Sequence, residues 1–265
     1  FLLSMPILLF LGLLLRTPVV LTQHERFENL PLPTGLHLYH QILYFFVDRV
    51  IVHTESRRGL AWQRHHSRIA VVQHGVIHRT DVDRRPTDIE TILLPGIIRP
   101  IKGHDIAVDA MQNLEGATLR IVGGVGDERY WREIADRIKN LDVGDRIEVI
   151  SEFVPEERLF EELHEADLVV LPYKSHTSMS GILAHCLSWR VPTLLTNCPA
   201  FRNVVDCEEA FLPERTGSAI ATRVEELRDD FTAQNRLIRS FGRLSEAYSW
   251  EATAERTVDV YKSHG

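Results

Sequence analysis

Short apolar, β-branched runs alternate with helix-length segments along most of the chain, and this alternation constrains the fold more than any other feature. The runs fall at 18–22, 48–53, 69–72, 91–94, 118–122, 146–150, 167–172, 191–196 and 210–212. Between them, 36–46, 55–66, 105–111, 128–141, 156–166, 182–189 and 199–205 carry apolar residues at helical spacing. Strands separated by single helices imply βαβ units and parallel sheets. Near-continuous apolar runs such as Ile92-Leu93-Leu94 suit strands buried on both faces. From Thr216 the chain reads as helical to its end, with a breaker near Gly242 and Ser249 capping the last helix. Val258, Val260 and Tyr261 of that helix are expected in the core, as is the aromatic face of Tyr39, Tyr44, Phe45 and Phe46.

The 265 residues suffice for one large or two medium domains. The polar, proline-containing stretch DVDRRPTD at 81–88 is the best linker, so the expected domains are 1–85 and 86–265. A net charge of −7 argues against a nucleic-acid binder. Cys186, Cys198 and Cys207 form no framework, which suggests a reducing, cytoplasmic compartment. The histidines are scattered, and the adjacent His65 and His66 do not share a helix face, so no metal site is expected. Residues 1–15 are leucine-rich but short of the roughly 20 needed to span a bilayer. They read either as a buried helix or as one that contacts a membrane peripherally. The loop Gly123-Gly124-Val125-Gly126 lacks the G-x-G-x-x-G spacing of dinucleotide binding.

In a parallel sheet, residues just past each strand share the carboxyl edge, where ligands of open α/β sheets bind. Three such places carry chemistry. After 91–94 comes Gly96-Ile97-Ile98-Arg99-Pro100-Ile101-Lys102-Gly103, a glycine turn with two cations ahead of a helix. Guanidinium and ammonium suit phosphate, so this turn reads either as a phosphate site or as a solvated loop. After 167–172 comes the hydroxyl-rich Tyr173–Ser180 loop, whose Ser180-Gly181 opens a helix and presents main-chain N–H groups to an anion. Ser178 or Ser180 caps that helix with or without a ligand. After 18–22 comes His24, either a functional residue or a loop histidine.

The ordered stretches GIIRPIKGHD at 96–105, LRIVGG at 119–124, EFVPEERLFEELHEADLVVLPY at 152–173, SGILAHCLSWRVPTLLT at 180–196 and SWEATAERTVDVY at 249–261 resemble GT-B glycosyltransferases of the retaining family 4 type. TPVVLTQHE at 17–25, DRVIVHTE at 48–55 and IAVVQHGV at 69–76 resemble them less closely. The resemblance implies two Rossmann-like domains with parallel sheets, an acceptor side and a nucleotide-sugar side. It implies that Arg99 and Lys102 neutralise the donor diphosphate, with Gly96 in the same turn. It places the base near Phe153 and Val154, and sugar and phosphate at Ser180, Gly181 and Ile182. His24 corresponds to the histidine that contacts the transferred sugar. Two departures stand out. The paired glutamates of the family fall on Thr177 and His185, and Arg99 sits three residues past Gly96 rather than directly after it. The first domain is also short, which the resemblance reads as lacking its opening strand.

The function implied is transfer of a sugar, with retention, from a nucleotide diphosphate sugar to a hydroxyl of a glycan or a lipid-linked acceptor, without metal or cofactor. Three alternatives stay open: an inactive GT-B-like binding protein, a sugar-nucleotide epimerase of the same fold, and a membrane-inserted protein resting on 1–15 alone.

Overall fold

The computed structural model describes residues 17–23, 41–59, 61–175 and 180–263, with Gly12 and Leu38. His24, Thr177 and, apart from Gly12, the run at 1–15 lie outside the described residues. Packing divides the chain into two units. The first runs to Gly75 and takes in the chain from Tyr248 onward. The second comprises Val76–His176 and Ser180–Ala247.

The first unit holds a parallel sheet in the order β1 (Val20–Gln23), β2 (Arg49–Val52), β3 (Ile69–Val71). Val50, Ile51 and Val52 are buried, and Leu43, Tyr44 and Val47 pack in the same unit's core. The expected aromatic face divides. Tyr44 is buried, whereas Phe46 is 62% exposed. The Arg68 guanidinium donates to the carbonyls of Tyr44, Phe45 and Val47. It thereby satisfies the groups a helix end leaves open and ends the helix there. The single helix expected over 55–66 does not form. It splits into α1 (Glu55–Arg58) and a 3-10 turn at Gln63–Arg68. The Trp62 amide is drawn away from helical pairing by the Gln41 side chain, which accepts its proton at 2.9 Å.

The second unit is a six-stranded sheet in the order β6-β5-β4-β7-β8-β9, with every neighbouring pair parallel. Its strands are β4 (Thr91–Pro95), β5 (Thr118–Val122), β6 (Ile147–Ile150), β7 (Leu168–Leu171), β8 (Thr193–Thr196) and β9 (Phe211–Leu212). The crossovers run through α2 (His104–Ala110), α3 (Glu128–Asn140), α4 (Glu156–Glu165), α5 (Gly181–Ser188) and α6 (Pro199–Arg202). Leu93, Leu94, Val169, Val170, Leu194 and Leu195 are fully buried. Each such side chain contributes about 1.5–3 kcal/mol of burial. The Asp167 carboxylate accepts the Thr91 N–H at 2.8 Å and the Thr87 hydroxyl at 2.8 Å, which fixes where β4 begins.

The helical tail is α7 (Gly217–Asp229), α8 (Phe231–Ala247) and α9 (Trp250–Lys262). Gly242 does not break it; this glycine lies inside α8, where the Arg190 side chain packs close to it. The breaks fall instead at Asp230, whose carboxylate accepts from the Thr232 and Ala233 amides, and at Ser249, which caps α9. Val258 and Tyr261 are 41% and 51% exposed rather than core. Helix α9 is held at its start, where Thr253 donates to the Gln73 carbonyl and Trp250 sits against His74.

The polar stretch 81–88 is not a free linker. Arg84 donates to the carbonyls of Leu163 and Ala166, both at 2.7 Å, and Arg190 donates to those of Arg79 and Val82. The packing boundary accordingly falls at Gly75/Val76, ahead of the expected 85/86, and α9 goes with the first unit.

Candidate functional site

Strand order in the second unit reverses between β4 and β7: the chain runs outward from β4 through β5 to β6, then returns to the other side of β4. Such a reversal opens a crevice at the carboxyl edge, where open α/β sheets take their ligands. The turn after β4 and the loop after β7 flank it. These are the two places where the sequence put Lys102 and Ser180.

The turn after β4 is built from both sides. Toward β5, Ile98 donates to the Gly124 carbonyl at 2.9 Å and Gly126 donates back to Ile98 at 3.1 Å. Gly123 lies so close to Gly96 that any Cβ would strike the Gly96 carbonyl. The glycines at 123–126 are thus used for backbone against backbone, which accounts for them without a dinucleotide. Toward β7, Lys174 N–H donates to the Ile101 carbonyl at 2.9 Å. Gly103 adopts a left-handed φ of +73° and leaves no room for a side chain against the Pro172 carbonyl.

Lys102 comes out of this turn half-buried, its Nζ 3.8 Å from the centre of the Tyr173 ring. Among the described residues no carboxylate pairs with it. Burial, helped by the nearby Arg99 charge, lowers its pKa to about 8. Arg99 is exposed, and its side chain lies along Gly126. Two cations therefore share one corner with no anion to balance them, and a cation–aromatic contact is worth only about 0.5–2 kcal/mol. Beneath them, burial takes His104 down to about 4, so its imidazole is neutral.

On the β7 side, Tyr173 is buried and burial pushes its phenol pKa up, so it stays protonated against the Ser180 hydroxyl at 3.3 Å. The Ser180 oxygen caps α5 by accepting the Leu183 N–H. The amides of Gly181 and Ile182 precede the first intrahelical bond, and open space lies around Gly181. A Cβ placed at Gly96 would come within 3.7 Å of the Ile182 side chain, so these two expected residues lie side by side. His185 sits one turn deeper, edge-on to Phe160 at 5.3 Å. Burial lowers its pKa and Glu156, 4.0 Å from Nε2, opposes the shift.

Phe153 follows β6 and is 87% exposed, an aromatic face in water at the same edge; Val154 beside it is half-buried. The main chain of Gly124 packs against that of Phe153, joining this turn to the glycine loop. Four contributors were not singled out as site residues in the sequence: Tyr173, Asp105, Lys174 and Tyr130. The first could have been found, since it directly follows a strand. The others depend on contacts between loops distant in sequence. Among the described residues, no group of three His, Cys, Asp or Glu side chains stands close enough to hold a metal ion, and no helix is long and apolar enough to cross a membrane.

With this geometry in place, comparison with known proteins gives three results. Residues 90–230 match the family described as Glycosyl transferases group 1. A D-inositol 3-phosphate glycosyltransferase of Kineococcus radiotolerans is 25% identical over 267 residues, covering 88% of this chain. The chain spans 61% of that relative's length. Among solved structures, Anabaena Alr3699/HepE in complex with UDP is similar with a TM-score of 0.81 at 13% identity, covering 99% of this chain and 77% of that one. The sucrose-phosphate synthase of Thermosynechococcus elongatus is similar with a TM-score of 0.71 at 17% identity, covering 96% and 71%. At these identities the structural likeness is one of fold.

Proposed function

The chain belongs to the glycosyl transferases group 1 family and has the α/β fold of GT-B glycosyltransferases, and from that premise we propose that it moves a sugar from a nucleotide diphosphate sugar to a hydroxyl acceptor with retention of configuration. The observation that carries this reading is Lys102: a half-buried ammonium at the strand-order reversal, over the Tyr173 ring and beside Arg99, with no carboxylate partner among the described residues. A desolvated cation left unpaired costs stability unless a ligand supplies the anion. A diphosphate does so.

In the reaction, the bond between the sugar's anomeric carbon and the diphosphate oxygen breaks, and its electron pair leaves with the phosphate. The acceptor hydroxyl oxygen forms the new bond on the same face and gives up its proton to the departing phosphate oxygen. Lys102, Arg99 and the α5 amides of Gly181 and Ile182 meet the charge that develops on the leaving group. Donors fixed in place before the reaction need no reorganisation as that charge appears. This assigns to protein cations the neutralisation a divalent ion performs elsewhere, so activity should survive a chelator. Phe153 is assigned to stack on the base, and His185 to hydrogen-bond the donor's ribose hydroxyls. The relatives' name points to a phosphorylated cyclitol as the first acceptor to try; glycan and lipid-linked hydroxyls follow. His24 and Thr177 keep their proposed roles at the transferred sugar. Residues 1–15 are proposed to contact a membrane peripherally, and a cytoplasmic location is proposed with them.

The test is incubation of the full chain with a panel of UDP- and GDP-sugars, with and without inositol 3-phosphate, in the presence of EDTA. The products' anomeric configuration is then read by NMR. Transfer with retention supports the reading. Sugar-nucleotide interconversion without acceptor would replace it with an epimerase. One observation favours a second reading: His185 occupies a position where an acidic residue is expected. Tight nucleotide-sugar binding without turnover on any acceptor would identify a binding protein.

A further inference from the structure

Two lysines leave the carboxyl edge on neighbouring strands, Lys102 after β4 and Lys174 after β7, and the structure treats them oppositely. The Lys174 ammonium donates to the Asp105 carboxylate at 2.7 Å. That carboxylate also accepts the Tyr130 hydroxyl at 2.6 Å, and the Asp105 amide donates to the Tyr130 oxygen at 3.1 Å. Lys174 is itself fixed. Its N–H holds the Ile101 carbonyl at 2.9 Å, and its own carbonyl accepts from Arg215. Asp105 stands three residues beyond Lys102, at the start of the next helix, yet it does not pair with Lys102. Burial tends to raise the Asp105 pKa, but the bonds from Lys174 and Tyr130 outweigh it and hold the carboxyl below its ordinary value.

We propose that Lys174 is a positioning residue for the anion site: by occupying the Asp105 carboxylate, it prevents that anion from neutralising Lys102 and leaves Lys102 for a diphosphate. The inference rests on the reading of this crevice as a diphosphate site, and it makes a statement about charge that a simple brace between loops does not. Arg99, His104 and Tyr173 adjoin Lys102, while Asp105, three residues on, acts on His104 and is held by Lys174. Arg99 is cationic, and burial keeps His104 and Tyr173 neutral. Among them Asp105 alone carries negative charge; the Tyr130 hydroxyl and the Lys174 ammonium both hold it, and of the two Lys174 alone brings a countercharge.

The experiment is a cycle of Lys174→Met, Asp105→Asn and the double variant, with two readouts and circular dichroism to confirm folding. The first readout is binding of UDP and of pyrophosphate by calorimetry. K174M frees Asp105 to pair with Lys102, and UDP binding should weaken about three- to fivefold, the upper range of a partly exposed ion pair. D105N has no competing anion and is the reference against which the double variant is read. The double variant should recover to within about twofold, because the competing anion is gone. A mechanical brace predicts the reverse: the double variant as weak as K174M, or weaker. The second readout needs no ligand. With [ε-13C]lysine, the chain's Lys102, Lys139, Lys174 and Lys262 can be assigned and titrated individually. The Lys102 inflection should rise in K174M and return in the double variant. No recovery of UDP binding, or an unmoved Lys102 inflection in K174M, overturns the proposal. If the unaltered chain binds neither UDP nor pyrophosphate, the diphosphate reading fails, while the Lys102 titration still decides the role of Lys174.

Discussion

Replacing Lys102 by methionine should make the protein more stable and nearly inactive at once. Methionine keeps the unbranched stem against Tyr173 and removes only the charge. In the folded chain Lys102 holds its proton with a pKa of about 8 against 10.5 in the ordinary case, because burial and Arg99 disfavour the cation. At about 1.4 kcal/mol per pH unit, the charged form costs roughly 3 kcal/mol at neutral pH, and its partial exposure to water brings this to about 1–3 kcal/mol. The sign follows from proton binding. Between about pH 8 and 10.5 the unfolded chain holds the Lys102 proton and the folded chain releases it, so the unaltered protein gains stability as pH rises through that window. K102M has no such cost, so its advantage is complete below pH 8 and fades toward 10.5. In a chain of this size about 2–4 °C accompanies each kcal/mol, and the melting temperature should rise by about 3–10 °C at pH 7. Turnover should fall about a hundredfold or more, the loss typical of removing one pre-placed donor to a developing oxyanion. The assays are scanning calorimetry between pH 7 and 10 and initial rates at saturating donor. A K102M protein that melts lower and turns over normally would refute both the unpaired cation and its role.

The same proton governs binding. Diphosphate affinity should be level below about pH 8 and weaken toward tenfold per pH unit above it, as titration calorimetry from pH 7 to 9.5 would show; a flat profile would argue that another group holds the phosphate. Phe153→Ala should raise the donor's KM about 5- to 100-fold, the range of one base–aromatic stack, with the melting temperature unchanged because the ring is 87% exposed. An unaltered KM would remove Phe153 from the site. Gly103→Ala should cost about 2 kcal/mol or more in denaturant unfolding, since alanine tolerates neither the left-handed φ nor the Pro172 carbonyl beside it.

The second unit was readable from sequence because its signals are local. Runs such as Leu168–Leu171 are too apolar and too short to be anything but buried strands, and Ser180 announces a helix start by its own side chain. The parallel topology then dictated that Lys102 and Ser180 share an edge. Three of the misreadings have one cause in common: a long-range partner overrode the local signal. Gly242 looked like a breaker, but the Arg190 side chain packs against it within a continuous helix. The 81–88 stretch looked like a linker because its charges looked solvated, whereas Arg84 is spent on carbonyls of the α4 end some 80 residues away. Trp62 looked helical until Gln41 took its amide.

The site repeats this division between what is local and what is not. That Lys102 follows a strand and a glycine turn is visible in the sequence; that it is unpaired is not. Asp105, three residues on, is the neighbour that a sequence reading would have paired with it. Only the arrival of Lys174 and Tyr130, from 69 and 25 residues further along the chain, removes that carboxylate from competition. The chemical character of the crevice therefore depends less on which charges the turn carries than on which are cancelled by other loops. A chain that kept GIIRPIKGHD intact but changed position 174 would keep the motif while altering the charge available to a ligand. Judging such a site by its motif alone would miss the residue that sets its charge.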